Sequence, residues 1–157
     1  MSLSDLTWLA VAAYGLHILE EYQLDWRNWA RAVIKLPVEW ADFYVVNALV
    51  IVLGAVAAIL VQSLPAVGLS FPALMLINAV FFHIIPFVRT GGRFSPGLVT
   101  AVILFLPLGL GCYWQALHDG TIGAGGIVVS LLIGACLMAA PVVLLSVRGK
   151  PYFRQDR

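Results

Sequence analysis

Leu16-His17-Ile18-Leu19-Glu20-Glu21-Tyr22 closes the first long apolar run of the chain, and the solvent assigned to that run decides the fold. An acidic side chain at mid-bilayer costs about 2.5–3.5 kcal/mol, and less near the interface. One imidazole and two carboxylates in such a run therefore mark a working site. On a helix His17 lies three residues before Glu20 and four before Glu21, so all three share one broad face. A histidine with a carboxylate one turn away is a common way to hold a metal ion between helices.

Composition supports lipid as the surrounding solvent. Of 157 residues, 62% are hydrophobic and 11% charged, against about 25% charged in a soluble domain. Net charge is +1 with no long basic face, which argues against nucleic-acid binding. Cys112 and Cys136 both fall inside apolar runs without CxxC spacing and read as small buried hydrophobes. No cleaved signal peptide is expected, because Met1 to Leu6 carry no Lys or Arg and the apolar run before Ala10-Val11-Ala12 is short.

Working outward, five segments are long enough to cross a hydrocarbon core of about 20 apolar residues: 6–24, 40–62, 66–89, 95–117 and 123–147. Asp25 to Glu39 interleaves Trp26, Trp29, Val33 and Ile34 with Arg27, Arg31 and Lys35. It predicts a short interfacial amphipathic helix near 26–36, stopped by Pro37, with Trp26, Trp29 and Trp40 at headgroup level. The expected fold is one all-α domain, a five-helix transmembrane bundle spanning 1–157. Arg27, Arg31 and Lys35, then Arg89 and Arg93, then Arg148, Lys150, Arg154 and Arg157 all fall on one side of five crossings. By the positive-inside rule that side is cytoplasmic, with the N-terminus outside. Gly126, Ser130 and Gly134 form a smooth ridge for helix contact. Ser95 is expected to cap the fourth span with Pro96 in its first turn. Pro72, Pro86, Pro107 and Pro141 are expected to kink their helices and free backbone carbonyls.

This topology sets depth. At about 1.5 Å per residue, His17 and Glu21 lie roughly 12 and 6 Å from the cytoplasmic end of the first span, and His83 roughly 9 Å from that of the third. Asn78, Asp42 and Asn47 fall in the same half of the membrane. Zn²⁺ would suit His17, Glu21 and His83, leaving Glu20 as base for a bound water or as a further ligand. The same trio is a two-His, one-carboxylate set for Fe(II). Asn47, Asn78, Asp42 and Tyr14 are candidate supports for the ligands. Plain helix-to-helix contacts stand beside these roles: His17 to Asn47, or Glu20 to Arg27 or Arg31.

His17-Ile18-Leu19-Glu20-Glu21 resembles the signature of the HXXEE-motif family of small bacterial integral membrane proteins. Asn78-Ala79 with His83-Ile84, and Ser95-Pro96-Gly97-Leu98-Val99-Thr100, look like that family's second and third blocks. The family separates its Asn and His by three residues. Four intervene here, which on a regular helix turns Asn78 about 140° from His83. The resemblance implies a common site in the bacterial inner membrane but assigns no activity. Three functions follow from the residues: a metal-dependent enzyme, hydrolytic or oxidative, acting on a membrane lipid or other apolar small molecule; a metal-free acid–base isomerase or terpene-type cyclase; and a proton- or metal-coupled carrier. Homo-oligomerisation is left open.

Overall fold

The computed structural model describes residues 1–148, 150 and 152. Arg154 and Arg157, counted above among the cytoplasmic cations, lie outside the described residues. The first helix, α1 (Leu3–Gln23), opens with a reciprocal cap. Ser2 Oγ accepts from the Asp5 amide and Asp5 accepts from the Ser2 amide, satisfying two otherwise orphaned donors. Along α1 the buried positions include Leu3, Thr7, Ala10, Tyr14, His17 and Glu21, in alternating steps of four and three. The third helix, α3 (Trp40–Leu60), buries Phe43, Asn47, Val50, Gly54 and Ala57 in the same rhythm. Two stripes of that period favour close, nearly antiparallel packing. Between them, α2 (Trp26–Val33) is short and strongly two-faced.

Three further helices complete the bundle: α4 (Pro65–Arg89), α5 (Leu98–His118) and α6 (Ala124–Arg148). No strand occurs among the described residues. By length and composition α3, α4, α5 and α6 can each cross a membrane. Helix α1 is as long as α3, but Asp5, Glu20 and Glu21 dilute its hydropathy and it is not among those four. Its outer face is nonetheless apolar, with Trp8, Leu9, Leu16 and Leu19 exposed.

Several boundaries differ from expectation for physical reasons. Helix α2 stops at Val33, before Pro37, because the chain turns through Lys35 at φ +58°. Its Trp26 and Trp29 are buried against Val38 and Phe43, facing the protein and not the lipid. Helix α5 starts at Leu98, three residues late, since Gly97 at φ +93° stands outside the helix. Ser95 makes no cap there.

Prolines shape α4 and α5. Ala79–Ile84 and Ala101–Phe105 form π-helical turns, one shortly before Pro86 and the other shortly before Pro107. Proline supplies no N–H to the carbonyl four residues back and its ring crowds that carbonyl. A widened i→i+5 turn relieves the clash. Gly134 and Ser130 of the α6 ridge are buried. A Cβ on Gly134 would lie 2.7 Å from Ala73 Cβ, so α6 docks on α4 at backbone range. Gly126, the third ridge residue, meets only its neighbour Ile122.

The core falls into three layers. Leu3, Val61, Leu69, Cys112, Ala116 and Ile122 close one end. Tyr14, Val50, Phe71, Leu74, Met75 and Phe105 fill the middle. Trp26, Trp29, Val38 and Phe43 close the other end. His17, Glu21 and His83 lie near the junction of the last two, where α1 and α4 end and α3 and α5 begin.

Candidate metal centre

Helix α1 brings His17 and Glu21 onto its buried stripe, and the π turn of α4 delivers His83. The Glu21 Oε1 atom lies 3.5 Å from His17 Nε2 and 3.6 Å from His83 Nε2. The two imidazoles meet edge to face, with ring centroids 4.8 Å apart. Both rings are essentially sealed from solvent, at 1% and 0% exposure. Neither Nε2 has a hydrogen-bond partner, which in a sealed interior is costly unless something else takes the lone pair. Bonds of about 2.0–2.2 Å in a tetrahedron separate ligand atoms by about 3.3–3.6 Å. These three side chains could hold a metal ion, and they are the one such group found among the described residues.

The other ring nitrogens explain why both Nε2 atoms face inward. His17 Nδ1 is 2.8 Å from Thr100 Oγ1, and that hydroxyl is 2.6 Å from Glu20 Oε2. The carboxylate is the stronger acceptor, so Thr100 donates to Glu20 and accepts from His17 Nδ1–H. His83 Nδ1 is 3.0 Å from Ser95 Oγ, which donates to the Phe82 carbonyl at 3.4 Å. Phe82 is four residues before Pro86, so its carbonyl is the one that the proline deprives of a helical partner. Both histidines are thereby assigned as Nδ1–H tautomers, with the Nε2 lone pairs turned toward Glu21.

Glu20 does not join the trio. Its Oε1 accepts from the Gly97 and Val99 amides at 3.1 and 3.2 Å, and its Oε2 accepts from the Thr100 amide at 2.8 Å. Those are the orphan donors at the start of α5, so α5 takes its N-terminal cap from α1. A carboxylate there also suits the positive end of the helix dipole. With both oxygens engaged by α5, Glu20 ties α5 to α1 and lies outside the group of three that could hold a metal ion. Gly97 packs where no side chain fits: a Cβ there would lie 2.5 Å from His83 Cε1, 2.7 Å from His17 Cε1 and 3.0 Å from Glu21 Cγ.

The remaining candidates form a polar layer beside the trio. Tyr14 donates to Asn47 Oδ1 at 2.8 Å, so the contact considered for His17 with Asn47 is made by Tyr14 instead. Tyr14 also stacks on Phe105. Asn78 reaches only Met138 Sδ, at 4.0 Å, and its Oδ1 has no partner. Because the π turn separates Asn78 from His83, the 140° offset of a regular helix does not apply. A cavity of about 70 Å³ is lined by Tyr14, Glu21, Trp26, Asp42, Asn47 and Asn78 among others. Asp42 pairs with Arg148 across the mouth of this region. Glu39 is shared by Arg27 and Arg31; their hydrogen bonds, Arg27's first, hold its carboxyl below the usual carboxylate range. Neither arginine reaches Glu20, so the contact considered for it with Arg27 or Arg31 is made by Glu39 instead.

Side-chain chemistry did not single out Thr100, Ser95 and Gly97, which surround the trio. The signal for them was the resemblance of Ser95-Pro96-Gly97-Leu98-Val99-Thr100 to a family block.

Fold and centre together define a class: a membrane-type helical bundle with a His/Glu cluster buried near one end. Residues 8–112, more than half of the chain, match the family model described as protein of unknown function with HXXEE motif, and the chain belongs to that family. No curated protein and no solved structure matches it.

Proposed function

We propose that this protein is an integral membrane metalloenzyme in which His17, Glu21 and His83 hold one divalent ion. Its substrate is a lipid or other apolar molecule. One observation carries the proposal: two imidazoles, each held through Nδ1, turn partnerless Nε2 atoms toward a single carboxylate oxygen at 3.5 and 3.6 Å. Isolated intramembrane histidines that merely bridge helices keep a hydrogen bond on the inward nitrogen.

Zn²⁺ is the first choice, because two neutral imidazoles and one carboxylate are a donor set that zinc takes in sites with an open fourth position. Three protein ligands leave a fourth position for water, and zinc lowers that water's pKa toward neutrality. Hydrolysis of a carbonyl or phosphoryl bond is the reaction such a centre supports. Fe(II) with oxygen is the second reading, favoured by the two-His, one-carboxylate composition. Five crossings, with α1 as the first and the N-terminus outside, complete the proposal. At about 1.5 Å per residue the 21 residues of α1 reach about 31 Å, enough for the hydrocarbon core.

Elemental analysis of purified wild type beside His17→Ala, His83→Ala and Glu21→Gln tests the centre. We expect about one Zn or Fe per chain in the wild type and loss in both histidine variants. A wild type without stoichiometric metal after loading would overturn it in favour of acid–base chemistry at Glu21.

A further inference from the structure

We propose that the site takes a single-chain lipid ending in a small oxygen-bearing group, its hydrocarbon chain lying in the groove between α4 and α6. The inference deepens the metalloenzyme proposal and rests on it for the fate of the bound end.

Two grooves of about 500 Å³ each adjoin the polar cavity. One, between α3 and α6, shares Asp42, Val46, Pro141 and Leu145 with it and carries the Asp42–Arg148 ion pair. It lies at the start of α3 and the end of α6, so it faces the membrane surface. The other lies between α4 and α6 and shares Phe82, Met138 and Val142 with the cavity. Its lining is wholly apolar and runs toward the middle of both helices, from Phe82 back to Ile77 and from Val143 back to Ala135. A lipid whose polar end rests beside Glu21 therefore has an apolar path toward the bilayer centre, in the orientation it already holds in the leaflet.

The polar end is selected by charge and by hydrogen bonding. The cavity has room for a hydroxyl, aldehyde or protonated carboxyl terminus, whereas its lining, with Glu21 and Asp42 and no Lys or Arg, gives a permanently anionic phosphodiester no partner. Two cavity-lining residues keep unused hydrogen-bonding capacity: Trp26 Nε1–H is an unsatisfied donor and Asn78 Oδ1 an unsatisfied acceptor, both residues more than nine-tenths buried. Asn78 and Met138, in mutual contact, stand where the cavity meets the groove. Polar groups of this kind fix a ligand's orientation in an otherwise apolar pocket.

The test uses the full-length, metal-loaded protein in bilayer discs, labelled with a diazirine analogue of palmitic acid or of hexadecanol. Expected is labelling concentrated on peptides covering 77–82 and 135–143, competed by excess unlabelled palmitate or hexadecanol. It should fall at least about tenfold in Ala139→Trp, an exposed position that tolerates bulk, and again in Val142→Trp. A diazirine phosphatidylcholine should not concentrate there. Even labelling of all lipid-facing helices, indifferent to both substitutions, would overturn the proposal. Cys136, read above as buried, is in fact exposed on α6, unlike Cys112; an unlabelled groove with Cys136 of two copies forming a disulfide would also overturn the proposal and assign the face to a second copy. Metal content measured on the same sample separates the two proposals. Groove-specific labelling without metal would reject the metal centre and keep the lipid site; bound metal with even labelling would reject the lipid site alone.

Discussion

At Thr100 one hydroxyl serves two masters, accepting from His17 Nδ1–H while donating to Glu20 Oε2. Helix cap and imidazole orientation are thereby coupled through a single oxygen. Hydrogen-bonding partners of metal-bound histidines contribute about 10–100-fold to affinity. Thr100→Val keeps the shape and removes the oxygen, so His17 loses the contact that selects its tautomer. Metal affinity, measured by chelator competition, should fall about 10–100-fold, while Thr100→Ser should stay near wild type. Equal affinities in Val and Ser variants would show that Thr100 serves helix capping alone. That His17, Glu21 and His83 would meet was legible in the sequence, because ionisable groups in apolar runs are few and helix depth brings them to one level. The contacts of Glu20 were not. Its partners are backbone amides about 77–80 positions away, and backbone donors leave no trace in residue type.

Helix α4 shows how a local irregularity builds a site. Pro86 deprives the Phe82 carbonyl of its helical partner, the turn over Ala79–Ile84 widens, and Ser95 takes up the carbonyl while receiving His83 Nδ1–H. The prolines could be read as places where helices would yield, but whether they would kink or widen depends on what surrounds the freed carbonyl. Likewise α2 could be read as amphipathic, while which medium its tryptophans met was decided by Phe43 and Val38 of the following segment. Pro86→Ala restores an N–H that can reclaim the Phe82 carbonyl. Helix regularity then competes with the Ser95 contact and turns His83 off its register. The variant should unfold at the same temperature as wild type or higher, yet bind metal about tenfold more weakly. Reduced stability with unchanged metal affinity would show that the π turn is only a packing feature.

For the whole molecule the open variable is α1, the helix that carries the site yet is less apolar than the other long ones. Helices α3 to α6 alone would leave every loop on the side assigned above; only the N-terminus distinguishes four crossings from five. We propose five, on two features of α1. His17 and Glu21 sit on the same heptad-like stripe as Leu3 and Ala10, so α1 packs along its full length. Its opposite face presents Trp8, Leu9, Leu16 and Leu19 outward, where water would penalise them and lipid would not. The acids Glu20 and Glu21 do not oppose this, because amides and imidazoles enclose them near the helix end. In a background lacking Cys112 and Cys136, Ser2→Cys should react with a membrane-impermeant maleimide added to intact cells after any outer barrier is opened. Lys35→Cys should react only after lysis. Reactivity of both positions only after lysis would place the N-terminus in the cytoplasm and make α1 a helix that enters the bundle without crossing it.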